Sequence, residues 1–313
     1  MKNLICKYPL STLLSIILLS ASMQAARANE ASLYSFDPVP QKLAQYARNS
    51  ATTYLNQGLQ LIQTGRVKDA IAAFNQAVQL DPFLAPAHYN LGLALRQVGE
   101  LQPAADAFYQ ATKVDSKFAL AYANLGGALL EGNNIIQAQN YLQRALEIDS
   151  KLGVAHYNLG LLHQHKEDCN QAIKSFRKAI KYSNKAPEPA YRIGLCYLGQ
   201  RKLKKAKNAF NQAVKINPKY PEAHYNIGSI LYGQGKHKKA LEAFRKSADA
   251  DPYYPSAYYG AGLAFIQLKQ YPDAMRVLQY ARDLFLAQNN PQWANNAEQL
   301  MQQAENFIYQ ISQ

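Results

Sequence analysis

The chain has 313 residues, with 34 Lys plus Arg against 21 Asp plus Glu and a formal net charge of +13. At 48% hydrophobic and 18% charged residues it is too apolar for a disordered chain and too polar for a polytopic membrane protein, so it is expected to fold.

The first segment reads as an address. Lys2 and Lys7 form a basic head, and residues 10–22 are an uncharged apolar run, shorter than the roughly 18–20 residues of a bilayer-spanning helix. Ala26-Arg27-Ala28 places small residues where a signal peptidase reads them. Cleavage after Ala28 is therefore expected, with export to a periplasm or equivalent lumen. An uncleaved anchor is the alternative, and a lipoprotein is not expected because no cysteine stands at the cut site. Residues 29–39 read as an extended linker. From Pro40 a helical lead-in is expected, since Leu43, Tyr46, Ala47, Ser50, Tyr54 and Leu55 keep helical spacing.

From Ala51 the chain repeats itself. Gly58, Gly92, Gly126, Gly160, Gly194, Gly228 and Gly262 are each 34 residues apart without an insertion. Twelve residues after each stands an alanine (Ala70, Ala104, Ala138, Ala172, Ala206, Ala240, Ala274), and sixteen after each a bulky apolar residue: Phe74, Phe108, Leu142, Phe176, Phe210, Phe244 and Leu278. Small residues let two helices approach closely, and the large ones fill the space between them. Each unit predicts two helices, in the second repeat 86–97 and 101–114, with a turn at Val98-Gly99-Glu100. Asp81-Pro82, Asn217-Pro218 and Asp251-Pro252 predict the end of the second helix. Ser116, Ser150, Asn184 and Leu286 replace that proline elsewhere, which predicts weaker turns there. No helix pair can bury its apolar face alone, so neighbours must stack.

With Leu91-Gly92, Ala104, Phe108, Ala111 and the Asp81-Pro82 type of turn, the chain resembles tetratricopeptide repeat (TPR) proteins. The resemblance implies an all-α, right-handed superhelix with a concave inner groove. The seven repeats are placed at 51–84, 85–118, 119–152, 153–186, 187–220, 221–254 and 255–288, after a linker and lead-in at 29–50. Residues 289–313, with Trp293, Leu300, Met301, Phe307 and Ile308, are read as a capping helix over the last repeat.

The resemblance also implies a role: a non-enzymatic scaffold or adaptor holding an extended partner segment in the groove, and assisting assembly of an envelope or membrane complex. The first helix of each pair lines the groove. Asn56, Asn90, Asn124, Asn158 and Asn226 stand two residues before their glycines, with Arg192 and Gly260 as exceptions. Such a row can hydrogen-bond an extended backbone, and it is similar to the asparagine ladder of O-linked N-acetylglucosamine transferases. The alternative is that the amides only support the preceding repeat. Tyr89, Tyr157, Tyr191, Tyr225 and Tyr259 sit beside them, suited to contact at low entropy cost. The lysine-and-asparagine clamp that some TPR proteins close on carboxylate tails is absent, since those pairs read Leu55 and Leu59, Tyr89 and Leu93, Ala123 and Gly127, Tyr157 and Leu161. A neutral or apolar segment is expected.

Positive charge concentrates in residues 166–246, where 19 basic residues face 5 acidic ones. Lys174, Arg177, Lys178, Arg201, Lys202, Lys204, Lys205, Lys207, Lys238 and Lys239 fall in turns or on second helices, an outer basic ridge. It suits an anionic surface, which makes a membrane-associated envelope component the alternative function. A solvated face is the plain reading, and nucleic acid is not expected without a recognition motif. Cys169 and Cys196 are brought side by side by antiparallel stacking, as a disulfide or as a packed thiol. His163, His165, Glu167, Asp168 and Cys169 are the one cluster with metal-ligand chemistry, but their spacing does not converge on one face, and no metal or cofactor is expected. No catalytic motif is present and no enzyme is expected.

Overall fold

The computed structural model describes residues 41–183 and 185–313. The leader at 1–28, the linker at 29–39 and Asn184 lie outside the described residues. The described chain is all-α: α1 (Gln41–Gln63), α2 (Val67–Leu80), α3 (Ala85–Gln97), α4 (Leu101–Val114), α5 (Ala119–Glu131), α6 (Ile135–Ile148), α7 (Gly153–His165), α8 (Cys169–Tyr182), α9 (Glu188–Gly199), α10 (Leu203–Ile216), α11 (Pro221–Gly233), α12 (His237–Ala250), α13 (Pro255–Gln267), α14 (Tyr271–Ala287) and α15 (Pro291–Ser312). None of these helices is long and apolar enough to cross a membrane. Residues 51–313 form one compact unit.

Within that unit each odd-numbered helix packs antiparallel on the even-numbered helix that follows it. The repeating glycines set the contact. A Cβ on Gly194 would stand 2.4 Å from the Phe210 ring, and Gly58, Gly92, Gly160 and Gly228 meet their own phenylalanines in the same way. Gly126 and Gly262 instead oppose Leu142 and Leu278. Phe74, Phe108, Phe176, Phe210, Leu142 and Leu278 are all fully buried. Odd helices also pack on odd neighbours, α5 on α7 and α11 on α13, and no consecutive even pair packs comparably. The stack therefore closes more tightly on its odd-helix side, which becomes the inner face of an all-α tetratricopeptide superhelix.

Two turn types alternate. After each odd helix one residue takes a left-handed conformation: Gly65, Gly99, Asn133, Glu167, Arg201, Gly235 and Lys269. The next amide reaches back five residues, as in Glu100 N–H to Leu95 C=O at 3.0 Å and Asp168 N–H to His163 C=O at 2.9 Å. Four of the seven positions are not glycine, and each carries a Cβ penalty there. Glu167→Gly removes a left-handed penalty of roughly 1–2 kcal/mol against a gain in unfolded-chain entropy of roughly 0.4–1 kcal/mol, so it is expected to stabilise the array by about 0.5–1 kcal/mol, read as a higher urea midpoint at unchanged m-value.

After α2, α4, α6, α10 and α12 an aspartate or asparagine makes the turn, and after α8 Ser183 holds that place. Asp81 donates its N–H to Ala77 C=O and accepts the Phe83 N–H on Oδ1, both at 3.0 Å. Asp115, Asp149, Asn217 and Asp251 repeat the arrangement. The second and third of these turns thus keep their geometry with Ser116 or Ser150 in place of proline, so the acceptor side chain and not the proline sets them. His88, His156 and His224 lock the same turn, each donating Nε2–H to a carbonyl six residues back at 2.9 Å. In the seventh repeat Phe285 replaces the aspartate and no turn forms there, so α14 runs on to Ala287.

α15 covers the last pair. The large apolar residues are not what it buries most: Ala294, Ala297 and Ala304 are the buried contacts, while Trp293 lies against Tyr259 and Phe285 and stays partly exposed. Alanines allow the helix to sit close on α14, and Phe307 stacks on Tyr271 at 5.2 Å.

Candidate interaction groove

The inner face presents two rows of side chains from the odd helices. The first is the tyrosine row, all half-buried. Tyr89, Tyr157, Tyr191 and Tyr225 each tilt against the core phenylalanine of their own repeat at 5.6–5.8 Å between ring centroids. Burial raises the hydroxyl pKa of Tyr89, Tyr191 and Tyr259 above the ordinary phenol value, so these rings meet a ligand as neutral phenols. The second row lies four residues on: Leu59 and Leu93 are exposed, Leu161 and Leu195 half-buried. In the sequence Leu59, Leu93 and Leu161 stand out only as missing clamp residues and Leu195 not at all; the 34-residue spacing is the signal that marks them as groove lining.

The asparagines do not form a uniform open ladder. Asn158 is 2% exposed and donates its amide to Ala123 C=O at 2.9 Å, one repeat back. Asn124 is 5% exposed and donates to Leu120 C=O and to the Tyr89 hydroxyl. Asn226 donates to Glu222 C=O and the Tyr191 hydroxyl, and Asn90 to Pro86 C=O. Asn56 is exposed. Adjacent odd helices approach closely, so the amide turns into the seam between them instead of outward. A Cβ on Gly127 would meet the Asn158 amide at 2.8 Å, which measures how tight that seam is.

One polar network was invisible in the sequence. Arg96 of α3 makes a two-pronged ion pair with Glu131 of α5 and reaches the Asn124 oxygen at 3.4 Å. It ties the second repeat to the third across the inner face, and the Glu131 hydrogen bond holds the Arg96 pKa above its usual value.

The basic ridge lies on the even helices and their preceding turns. Lys174, Arg177, Lys178, Arg201, Lys202, Lys204, Lys205, Lys238 and Lys239 are exposed and Lys207 is half-buried. α8 and α10 each carry four basic residues and no acidic one. None of the ion pairs among the described residues involves them.

Cys169 and Cys196 are neighbours, as antiparallel stacking requires, but both thiols are free. Cys196 is 1% exposed and packs as a small apolar side chain against Ile173, Phe176 and Ile193. Burial, reinforced by the hydrogen bond with Cys169, pushes its thiol up to about 12. Among the described residues no group of three or more His, Cys, Asp or Glu is placed to hold a metal ion. Asp168 instead caps α8, accepting the Gln171 N–H at 3.0 Å.

Comparison with known families and structures agrees with this architecture. Family models described as tetratricopeptide repeat match residues 85–118, 119–152, 154–185, 191–255 and 231–300, and one described as TPR repeat matches 58–99. No curated protein matches the chain. Among solved structures, a chain of the APC/C hetero-tetramer Cut9–Hcn1 superposes with a TM-score of 0.62 at 20% identity, over 72% of this chain and 46% of that one. This chain therefore spans less than half the length of that neighbour. PilF of Pseudomonas aeruginosa gives 0.57 at 20% identity, over 68% of this chain and 96% of its own. TTC0263, a thermophilic TPR protein of Thermus thermophilus, gives 0.51 at 21% identity, over 58% and 99%. Likenesses at these identities show the fold alone. The helix pairs, the glycine and phenylalanine register and the matched family models together make this chain a tetratricopeptide repeat protein, a family whose members generally serve as interaction scaffolds.

Proposed function

We propose that this protein is a non-catalytic scaffold that holds an extended, neutral or apolar segment of a partner protein against its inner face, and that it does so outside the cytoplasm while an envelope or membrane complex assembles. The observation that carries the reading is the pair of rows on the odd helices at one-repeat spacing, tyrosines half-buried and leucines half-buried or exposed, with neither row bearing a charge. Such a surface gains by losing water against apolar side chains, and the phenol groups supply polar contacts. Delivery would be by the leader at 1–28.

A photo-crosslinking amino acid placed in turn at Leu93, Leu161 and Leu195, and separately at Lys174 and Lys238, tests this in the native cells. Adducts to a defined protein from the leucine positions are expected. Adducts only from the lysine positions would move the binding face to the outer ridge. That second reading has its own support in the unpaired cations of α8 and α10, which suit an anionic membrane surface. N-terminal sequencing of the same material is expected to begin at Asn29.

A further inference from the structure

The tyrosine row is capped ring by ring, with one exception. Tyr89 is covered by Phe118 at 4.9 Å, Tyr191 by Tyr220 at 5.1 Å and Tyr225 by Tyr254 at 5.8 Å. Tyr259, in the last repeat, is covered by Trp293 of α15 at 5.4 Å. The first three covering rings occupy one repeat position, 34 residues apart or a multiple of it, and at Tyr157 that position holds Ala186.

The missing ring leaves a hollow of about 220 Å³ between the starts of α7 and α9, lined among others by Gly153, Val154, Tyr157, Ala186, Glu188 and Pro189. Its floor is apolar, and of the described lining residues Glu188 alone is charged. Glu188 is exposed, and none of the ion pairs among the described residues includes it. Glu188 lies near enough to the row to act on it: the Tyr220 hydroxyl is raised first by burial, then by Glu222 and Glu188.

We propose that the hollow over Tyr157 is the anchor socket of the groove, taking one aromatic side chain of the partner segment with a lysine or arginine beside it on Glu188. The proposal rests on the groove reading above. The occupant is identified by what the chain itself puts at that position over the other tyrosines, a phenylalanine and two tyrosines, and by the single charge at the rim. A ring entering here gains two things: it loses water in an apolar hollow and makes a ring contact of the kind seen at Tyr89 and Tyr191. Its basic neighbour meets a carboxylate that has no partner to surrender. Anchors of this kind carry most of the affinity of an interface.

The test is selection of displayed random 16-residue peptides on the purified protein, followed by affinity measurement against two variants. Ala186→Tyr supplies the missing ring from within; it is expected to raise the unfolding midpoint and to weaken the selected peptides at least about tenfold. Glu188→Lys is expected to reverse the preference for a basic flanking residue without removing the aromatic one. Selected peptides sharing an aromatic residue next to Lys or Arg, with both variant effects, would establish the socket. Peptides that bind and lose affinity on Leu161→Ala or Leu195→Ala but are indifferent to Ala186→Tyr would overturn the socket and leave the groove reading standing. Peptides indifferent to all four substitutions, or no enrichment at all, would overturn both.

Discussion

Phe210→Ala is expected to lower the unfolding free energy by about 3–5 kcal/mol, the range for removing a fully buried phenylalanine from a packed interior. Phe210 has no exposed surface, and its ring fills the space left by Gly194, where a Cβ would come within 2.4 Å of it. The neighbouring backbones are held by their own pairs, so the site can collapse only partly. The position is central in a stack where each pair contacts only its neighbours, so the loss falls on two interfaces as well as on the repeat itself. A urea titration followed by far-ultraviolet circular dichroism should change from one transition to two, with the repeats on either side of α10 uncoupling. Phe210→Leu is the internal control. The third and seventh repeats already carry Leu142 and Leu278 opposite Gly126 and Gly262, and that substitution is expected to cost no more than about 1.5 kcal/mol. A Phe210→Ala protein as stable as the parent would mean that this ring does not hold the helix pair together.

Stability should fall steeply on the alkaline side. The Cys196 thiol is pushed up to about 12 by burial and by Cys169, while in the unfolded chain it titrates near 8.5–9. The folded pKa is the higher, so the unfolded state loses the proton first. The thiol's contribution is fully present below about pH 9 and is lost as pH rises toward 12, by about 1.4 kcal/mol per pH unit. Tyr89, Tyr191, Tyr220, Tyr254 and Tyr259 are raised as well, each chiefly by burial, and steepen the loss above about pH 10. On the acid side the order inverts. Burial lowers the pKa of His156 and His163, so the unfolded state binds the proton first, and stability falls as pH drops below about 6.5. Urea midpoints at intervals from pH 5.5 to 10.5 would show a plateau between about 6.5 and 9. Cys196→Ala should flatten the segment from 9 to 10 and leave the tyrosine limb in place. A parent profile without loss above pH 9 would rule out a thiol held neutral by the core.

Some of this was legible before any coordinates. The glycine, alanine and phenylalanine series at 34-residue spacing can be satisfied only by repeated close-packed helix pairs, because no other arrangement needs a side chain absent and another large at such regular intervals. That the first helix of each pair lines the groove was implied by the resemblance to tetratricopeptide repeat proteins and not by the spacing. The fate of each asparagine was not legible. Asn158 and Asn90 occupy the same repeat position, yet one is sealed in a seam against the Ala123 C=O of the repeat before it and the other donates to the Pro86 C=O of its own helix; the difference is a property of neighbours and not of the residue.

The repeat, the helices, the small-against-large pairing that holds each unit and the one-sided distribution of basic residues all follow from spacing along the chain, and so were readable without the fold. Only the stacked helices set which polar groups are spent internally and that Ala186 stands across from Tyr157. Those outcomes depend on distances between side chains some thirty residues apart in the chain, and such distances exist only once the helices have stacked.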